Sequence, residues 1–107
     1  MVQSMSEKAD VQVGLAGAGS NRRFVIQNVG GSTARDVRFE VRAEQGKNSP
    51  VMSSEVDQLF PVDQLPPEES RSVSATVTTG TGLHFLATVS WQDDKGTRQQ
   101  QSFQLMV

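Results

Sequence analysis

Residues 24–42, FVIQNVGGSTARDVRFEVR, decide the fold, because two alternating segments there flank a pair of glycines. Phe24 and Ile26 mark one apolar face, and Val37 and Phe39 mark another, each set against polar or charged neighbours. A two-residue period with one apolar face is typical of a half-buried β-strand. The stretch therefore predicts two strands joined by a short connection.

The connection NVGGSTARDV, residues 28–37, has the composition of a binding loop or of a corner. We expect Gly30 and Gly31 to supply backbone conformations closed to other residues, and Ser32 and Thr33 can hydrogen-bond their own backbone. The connection offers no nucleophile, no metal ligands and no anion nest followed by a helix. We therefore predict a corner of the fold, and replacing both glycines with valine should damage folding.

The two-residue period recurs in four more segments, 11–15, 73–77, 85–91 and 103–107. The segment Asp93-Asp-Lys-Gly96 predicts a hairpin turn between the last two of them. Pro61, Pro66 and Pro67 indicate a long crossing from Leu59 to Ser70, because proline cannot join a central strand. Residues 51–59 predict either a short seventh strand or one helical turn.

Six or seven strands with turn signals at this spacing predict an antiparallel β-sandwich. A chain of 107 residues fits one domain. We assign residues 9–107 to that domain and residues 1–8 to a flexible tail. The predicted core consists of inward-facing apolar side chains: Val13, Phe24, Ile26, Val37, Phe39, Val41, Val73, Val77, Phe85, Val89, Trp91, Phe103 and Leu105.

Composition excludes several function classes. There are no cysteines, which rules out disulfides and thiolate chemistry. Ten basic and twelve acidic residues give a net charge of −2, and Glu40 separates Arg38 from Arg42, so we expect cross-strand ion pairs rather than nucleic-acid binding. No apolar run is long enough for membrane insertion, and residues 1–5 do not resemble a signal peptide.

The residues with catalytic potential lack the patterns that chemistry requires. His84 is the only histidine, no Gly-x-Ser-x-Gly motif accompanies it, and alternation places it on an exposed face. The glycines of residues 14–19 precede a strand rather than the helix of a dinucleotide site, which predicts a hairpin loop. Asp93 and Asp94 lie in a turn too short for a calcium loop. We therefore expect no enzyme activity, cofactor or metal.

Two apolar side chains remain on outward faces. Leu86 and Met106 fall on the polar sides of two strands that we expect to pair in the final hairpin. Exposed apolar residues on neighbouring strands are typical of a partner surface or a dimer interface. The alternative is that strand twist or a covering loop hides both. We predict Leu86 and Met106 as an interaction surface for protein, either a second copy or another chain.

Three segments together resemble the CARDB-like (cell-adhesion-related) domains, a group of bacterial immunoglobulin-like modules. They are FVIQNVGGSTARDVRFEV, LPPEES leading into a Ser/Thr-Val strand, and ATVSWQDDKG. The resemblance covers about residues 23–92. In that family an apolar strand ends in Asn-x-Gly, as at Asn28, and a Leu-Pro-Pro-Gly-Glu-Ser-like corner opens a later strand. Here Glu68 replaces the corner glycine.

The resemblance implies an immunoglobulin-like β-sandwich that acts as an accessory or interaction module of envelope or secreted proteins. Our leading hypothesis is a soluble, non-catalytic structural or protein-interaction module. A carbohydrate-binding module is the alternative, and it would require an exposed aromatic ring such as Trp91 or Phe60 beside a groove. A hydrolase would require a deep pocket holding His84 and an acid.

Overall fold

The computed structural model describes residues 8–107, which form seven β-strands and one short helix. The strands are β1 (Val11–Ala18), β2 (Asn21–Asn28), β3 (Ala34–Ala43), β4 (Val62–Leu65), β5 (Ser70–Thr76), β6 (His84–Gln92) and β7 (Arg98–Met106), and helix α1 spans Ser53–Leu59. Most of the predicted N-terminal tail, residues 1–7, lies outside the described residues. No helix within residues 8–107 is long and apolar enough to cross a membrane.

The strands form two antiparallel sheets that pack face to face. One sheet has three strands in the order β1-β2-β5, and the other has four in the order β4-β3-β6-β7. Their facing sides bury a single apolar layer. This arrangement confirms the predicted antiparallel β-sandwich. Because β2 and β3 belong to different sheets, the glycine-containing connection carries the chain from one layer to the other.

Aromatic rings join the two layers at the centre of the core. Phe24 of the three-stranded sheet packs against Phe39 and Phe85 of the four-stranded sheet, with ring centroids 5.8 and 6.0 Å apart. Ten of the predicted core residues are buried: Val13, Phe24, Ile26, Val37, Phe39, Val73, Val77, Phe85, Val89 and Trp91. The other three, Val41, Phe103 and Leu105, are only half-buried. Phe103 and Leu105 are half-exposed because β7 is an edge strand.

The region between β3 and β5 differs from the predicted long crossing. Residues 53–59 form helix α1, so the helical alternative for residues 51–59 was right. The seventh strand is β4, which lies inside the predicted crossing from Leu59 to Ser70. Its buried residues are Val62 and Leu65. Because they are three positions apart, the segment does not show the two-residue alternation by which a strand is recognised in a sequence. Prolines flank β4 at 61 and 66, as expected for an edge strand.

Asn28 holds the corner between the two sheets together. Its side chain is fully buried. The Oδ1 atom accepts hydrogen bonds from the Asp10 and Gly30 amides, at 3.1 and 3.0 Å, and Nδ2 donates to the Ser32 and Leu65 carbonyls, at 2.7 and 2.8 Å. Leu65 ends β4 in the opposite sheet. One amide group thus joins β1, the corner and β4, which confirms residues 28–37 as a structural corner.

Gly30 is required here for a reason other than the predicted one. Its φ lies outside the positive region that favours glycine. Instead the backbone of residues 8–10 passes so close that a Cβ at Gly30 would overlap the Lys8 carbonyl oxygen and lie 2.6 Å from the Asp10 amide nitrogen. The corner needs a residue without a side chain because two backbone segments meet there.

Candidate interaction surface

Leu86 and Met106 are diagonal neighbours on the outer face of the four-stranded sheet. In the β6–β7 register Leu86 lies opposite Gln104, and Met106 lies opposite His84. Diagonal positions on adjacent strands are within reach of long side chains. Leu86 is 39% exposed and Met106 is 69% exposed. Their outward orientation follows the predicted alternation, and their role in binding stays a prediction.

An open groove of about 530 Å³ lies over this end of the sheet. We call it the end groove, and we define it by Arg42, His84, Leu86, Gln104 and Met106, which line it. Arg42, Leu86 and Gln104 form one row across β3, β6 and β7. The groove therefore has apolar side chains bordered by polar and charged ones, which is the usual composition of a protein interface.

Within the charged row of β3, Arg42 and Glu40 pair along their own strand and not across strands as predicted. Arg42 Nε lies 3.1 Å from Glu40 Oε2, and both side chains are largely exposed. The neighbouring strand β6 supplies Thr88 opposite Glu40 and Ser90 opposite Arg38, so it offers no opposite charge. Exposed pairs of this kind add little stability.

One ion pair does cross the sheet, at the end away from the end groove. Asp36 lies at a bulge in β3 with φ of 49°, and its carboxylate pairs with Arg98 of β7 and, at 3.3 Å, with Arg38. Arg98 also donates to the Asp36 carbonyl oxygen, at 2.9 Å, and to Ser90 Oγ, at 3.2 Å. The hydrogen bond from Arg98, with the Arg38 charge, lowers the pKa of Asp36. This cluster ties β3 to β7 across β6.

His84 lies at the border of the end groove and is exposed, as alternation predicts. Glu44 lines the same groove. The hydrolase alternative required a deep pocket, whereas this groove is open and no serine, threonine, lysine or cysteine lines it. Among residues 8–107, no three His, Cys, Asp or Glu side chains are close enough together to hold a metal ion.

The aromatic rings face the interior of the sandwich. Trp91 and Phe60 are 3% and 7% exposed. The carbohydrate-binding alternative needs an exposed ring to stack on a sugar, and neither of these two residues offers one. Phe103 is the aromatic residue with the greatest exposure, and it is half-buried on the inner side of β7.

A second, polar cavity escaped the sequence predictions. It has a volume of about 250 Å³ and lies between the start of β1 and the β6–β7 hairpin. Gln101 Nε2 donates to Asp10 Oδ1 at 2.8 Å, and Gln99 Nε2 donates to Asp93 Oδ2 at 3.2 Å. Trp91 lines the cavity too, and its buried Nε1 has no hydrogen-bond partner. No sequence signal finds this cavity, because pairing of distant strands creates it.

Comparison with known proteins identifies the family of the chain without supplying a function. None of the curated proteins matches the chain. A family model matches residues 4–107, nearly the whole sequence, and its description is "Domain of unknown function (DUF8453)". The chain therefore belongs to the DUF8453 family of domains of unknown function.

Proposed function

We propose that this domain is a non-catalytic protein-interaction module and that the end groove is its contact surface. The observation that carries the proposal is the exposure of Leu86 and Met106 at diagonal positions on neighbouring strands. Complete burial of a fully exposed Leu or Met side chain contributes roughly 1.5–3 kcal/mol, so the part that is still exposed contributes a share of that, larger for Met106 than for Leu86. Two such residues inside a polar border have the composition of the apolar centre of a small interface.

Other exposed apolar side chains do not form such a surface. Met52 is 69% exposed, Leu83 is 51% exposed and Val29 is 40% exposed. Met52 precedes α1, Val29 lies in the corner after β2, and Leu83 lies directly before β6 but does not line the end groove. Single exposed apolar residues are common on proteins and need no functional explanation. This contrast supports the end groove, and not another part of the described surface, as the contact surface.

The resemblance to CARDB-like, immunoglobulin-like modules also supports the proposal. Those domains serve as accessory or interaction modules of bacterial envelope or secreted proteins. The sandwich of three and four strands is compatible with that kind of module. On this basis the domain would be an accessory part of a bacterial protein and would bind protein rather than convert a substrate.

A titration followed by NMR tests the proposal. Isotope-labelled chain is titrated with protein fractions of a bacterial lysate and, separately, with a glycan mixture. We expect amide shifts at Leu86, Gln104 and Met106 with protein and none with glycans. The double variant L86S/M106S should lose these shifts.

The chain offers a control of matched exposure. V29S/M52S removes one apolar side chain of about 40% and one of 69% exposure, the same values as in L86S/M106S. It should bind like the unmodified chain. Equal loss of binding in both double variants, or shifts confined to His84 or produced by glycans, would contradict the proposal.

A further inference from the structure

Strand β7 is a long sheet edge that the described structure leaves uncovered. It runs from Arg98 to Met106 and pairs with β6 on one side only. Exposed edges of this length attract further strands, and proteins usually shorten, cover or charge them. Apart from Arg98, β7 carries no charge, and it has no proline and no bulge toward β6.

The β5 and β4 edges are protected, and the β1 edge is modified only near its two ends. At the β5 edge, Ser74 N donates to Glu55 Oε2 of α1 at 2.9 Å, and Thr76 N donates to the Pro50 carbonyl at 2.9 Å. Strand β4 has four residues between prolines. At the β1 edge, the Val11 carbonyl accepts a hydrogen bond from Gln101, and Gly17 has a φ of +104°.

The hydrogen bonds at the two ends of the β6–β7 hairpin show which β7 groups face outward. Asp93 N donates to the Thr97 carbonyl, and Val107 N donates to the Leu83 carbonyl. Hydrogen-bonded pairs alternate along an antiparallel ladder, so the odd-numbered residues of β7 bond to β6. The even-numbered residues direct their amide and carbonyl groups outward. They are Arg98, Gln100, Ser102, Gln104 and Met106.

We infer that the occupant of this edge is β7 of a second copy of the chain, paired antiparallel about Ser102. This inference goes beyond the proposed function, because it assigns an occupant to the β7 edge, which lies beside the end groove. Ser102 is the middle residue of the outward-facing set. Pairing about it makes every outward amide and carbonyl of one copy meet its counterpart in the other.

The side chains fit this self-pairing. On the outer face, Gln100 lies opposite Gln104 of the second copy, and Arg98 lies opposite Met106 of the second copy. No two like charges oppose one another, because β7 has a single charged residue. Pairing would also extend the sheet beyond the half-buried Phe103 and Leu105. The two end grooves then lie on one continuous face.

The size of the interface indicates a reversible dimer. Nine paired residues span about 30 Å of strand, and a contact along one strand edge buries less surface than the interface of a permanent dimer. We therefore expect dissociation within the range from about 1 µM to about 1 mM. Sedimentation velocity of the full chain across this range should show monomer converting to dimer.

Hydrogen exchange locates the contact. At low concentration the amides of Gln100, Ser102 and Gln104 should exchange rapidly, and at high concentration they should become protected roughly tenfold or more. Protection of these amides at every concentration in a monomer would show that the chain itself covers the edge. That result would overturn the inference.

Charge variants test the register. Q100K/Q104K places lysine opposite lysine in both symmetric pairs and should raise the dimer dissociation constant roughly tenfold or more. Q100K/Q104E has changes at the same positions but places lysine opposite glutamate, so it should dimerise as well as the unmodified chain. Equal weakening in both variants would overturn this register.

The two proposals fail in different ways. A chain that stays monomeric throughout, while L86S/M106S still abolishes the shifts produced by lysate protein, would overturn self-pairing and leave the interaction module in place. A dimer that is weakened by Q100K/Q104K but not by Q100K/Q104E would support self-pairing. If the amide shifts were then produced only by glycans, the proposed function would be contradicted.

Discussion

At the scale of single residues, the corner after β2 depends on two positions that meet the same backbone. The side-chain amide of Asn28 uses all its hydrogen-bonding capacity: Oδ1 accepts from two backbone amides, and Nδ2 donates to two backbone carbonyl groups. Gly30 allows residues 8–10 to approach closely enough for one of those bonds to form. The polar residue most central to the fold is therefore buried, and its partners come from three separate parts of the chain.

Substituting Gly30 should be costly even with the smallest side chain. G30A places a Cβ against the Lys8 carbonyl oxygen and the Asp10 amide, which cannot move without displacing β1. We expect the free energy of unfolding to fall by about 3 kcal/mol or more. The control is G14A, because a Cβ at Gly14 meets nothing within 4 Å, and it should be neutral or slightly stabilising. Urea denaturation measures both, and equal stabilities would contradict the close approach.

Substituting Asn28 with Asp should remove hydrogen bonds while keeping the size and shape of the side chain. The carboxylate can still accept from the Asp10 and Gly30 amides, but it cannot donate to the Ser32 and Leu65 carbonyls. Two buried acceptors then face a negative charge, so N28D should lose about 3 kcal/mol or more. N21D, at the exposed start of β2, is the matched control and should change stability little. A stable N28D would show that these bonds are dispensable.

At the scale of elements, the sequence predicts strands where one face is buried along their whole length. The segments at Phe24, Val37 and Phe85 show this and were predicted correctly. The first half of β7 was missed, because both faces of an edge strand contact water and its residues are glutamine and serine. Strand β4 was missed because four residues are too few to show a period.

Two carboxylates tie elements together and make stability depend on pH. The pKa of Asp36 is lowered chiefly by its hydrogen bond from Arg98, and the pKa of Asp93 is lowered chiefly by the Thr97 amide in the β6–β7 turn. A carboxylate with a lowered folded pKa stabilises the fold above its unfolded value, here 3.8, and this contribution is lost as pH falls through the folded pKa.

We therefore expect the melting temperature to fall as pH drops below about 3.8. The double variant D36N/D93N should show a flatter decline in this window, because neither side chain then binds a proton. D94N alters an exposed acid of the same turn and should keep the steep decline. Thermal unfolding followed by circular dichroism over this range gives the comparison. An equally steep decline in D36N/D93N would contradict the assigned role.

At the scale of the whole molecule, the layered architecture and the final hairpin were predictable, but the strand on the other side of that hairpin was not. Alternation assigns Leu86 and Met106 to an outer face, but only the pairing of β6 with β7 makes them adjacent. Arg42 joins them because β3 is the other neighbour of β6. About 40 residues separate β3 from β6, so the position of Arg42 beside Leu86 has no local signal in the sequence.

The two sheets should unfold as one unit, because the central rings belong to both. Phe24 is fully buried and packs between Phe39 and Phe85 of the opposite sheet, whereas Trp91, the only tryptophan, lies in the four-stranded sheet. We expect F24L to lower the melting temperature by roughly 5–10 °C. Trp91 fluorescence and far-ultraviolet circular dichroism should shift together, although the mutated residue belongs to the other sheet.

The half-buried Phe103 provides the control for that change. F103L removes the same atoms from an edge strand, so its effect on the melting temperature should be clearly smaller. If F24L moves the circular dichroism transition but leaves the Trp91 transition in place, then the sheets unfold separately and the shared core is not what couples them. Coincident transitions would instead mean that the corner, the aromatic layer and the groove-bearing sheet form one cooperative unit.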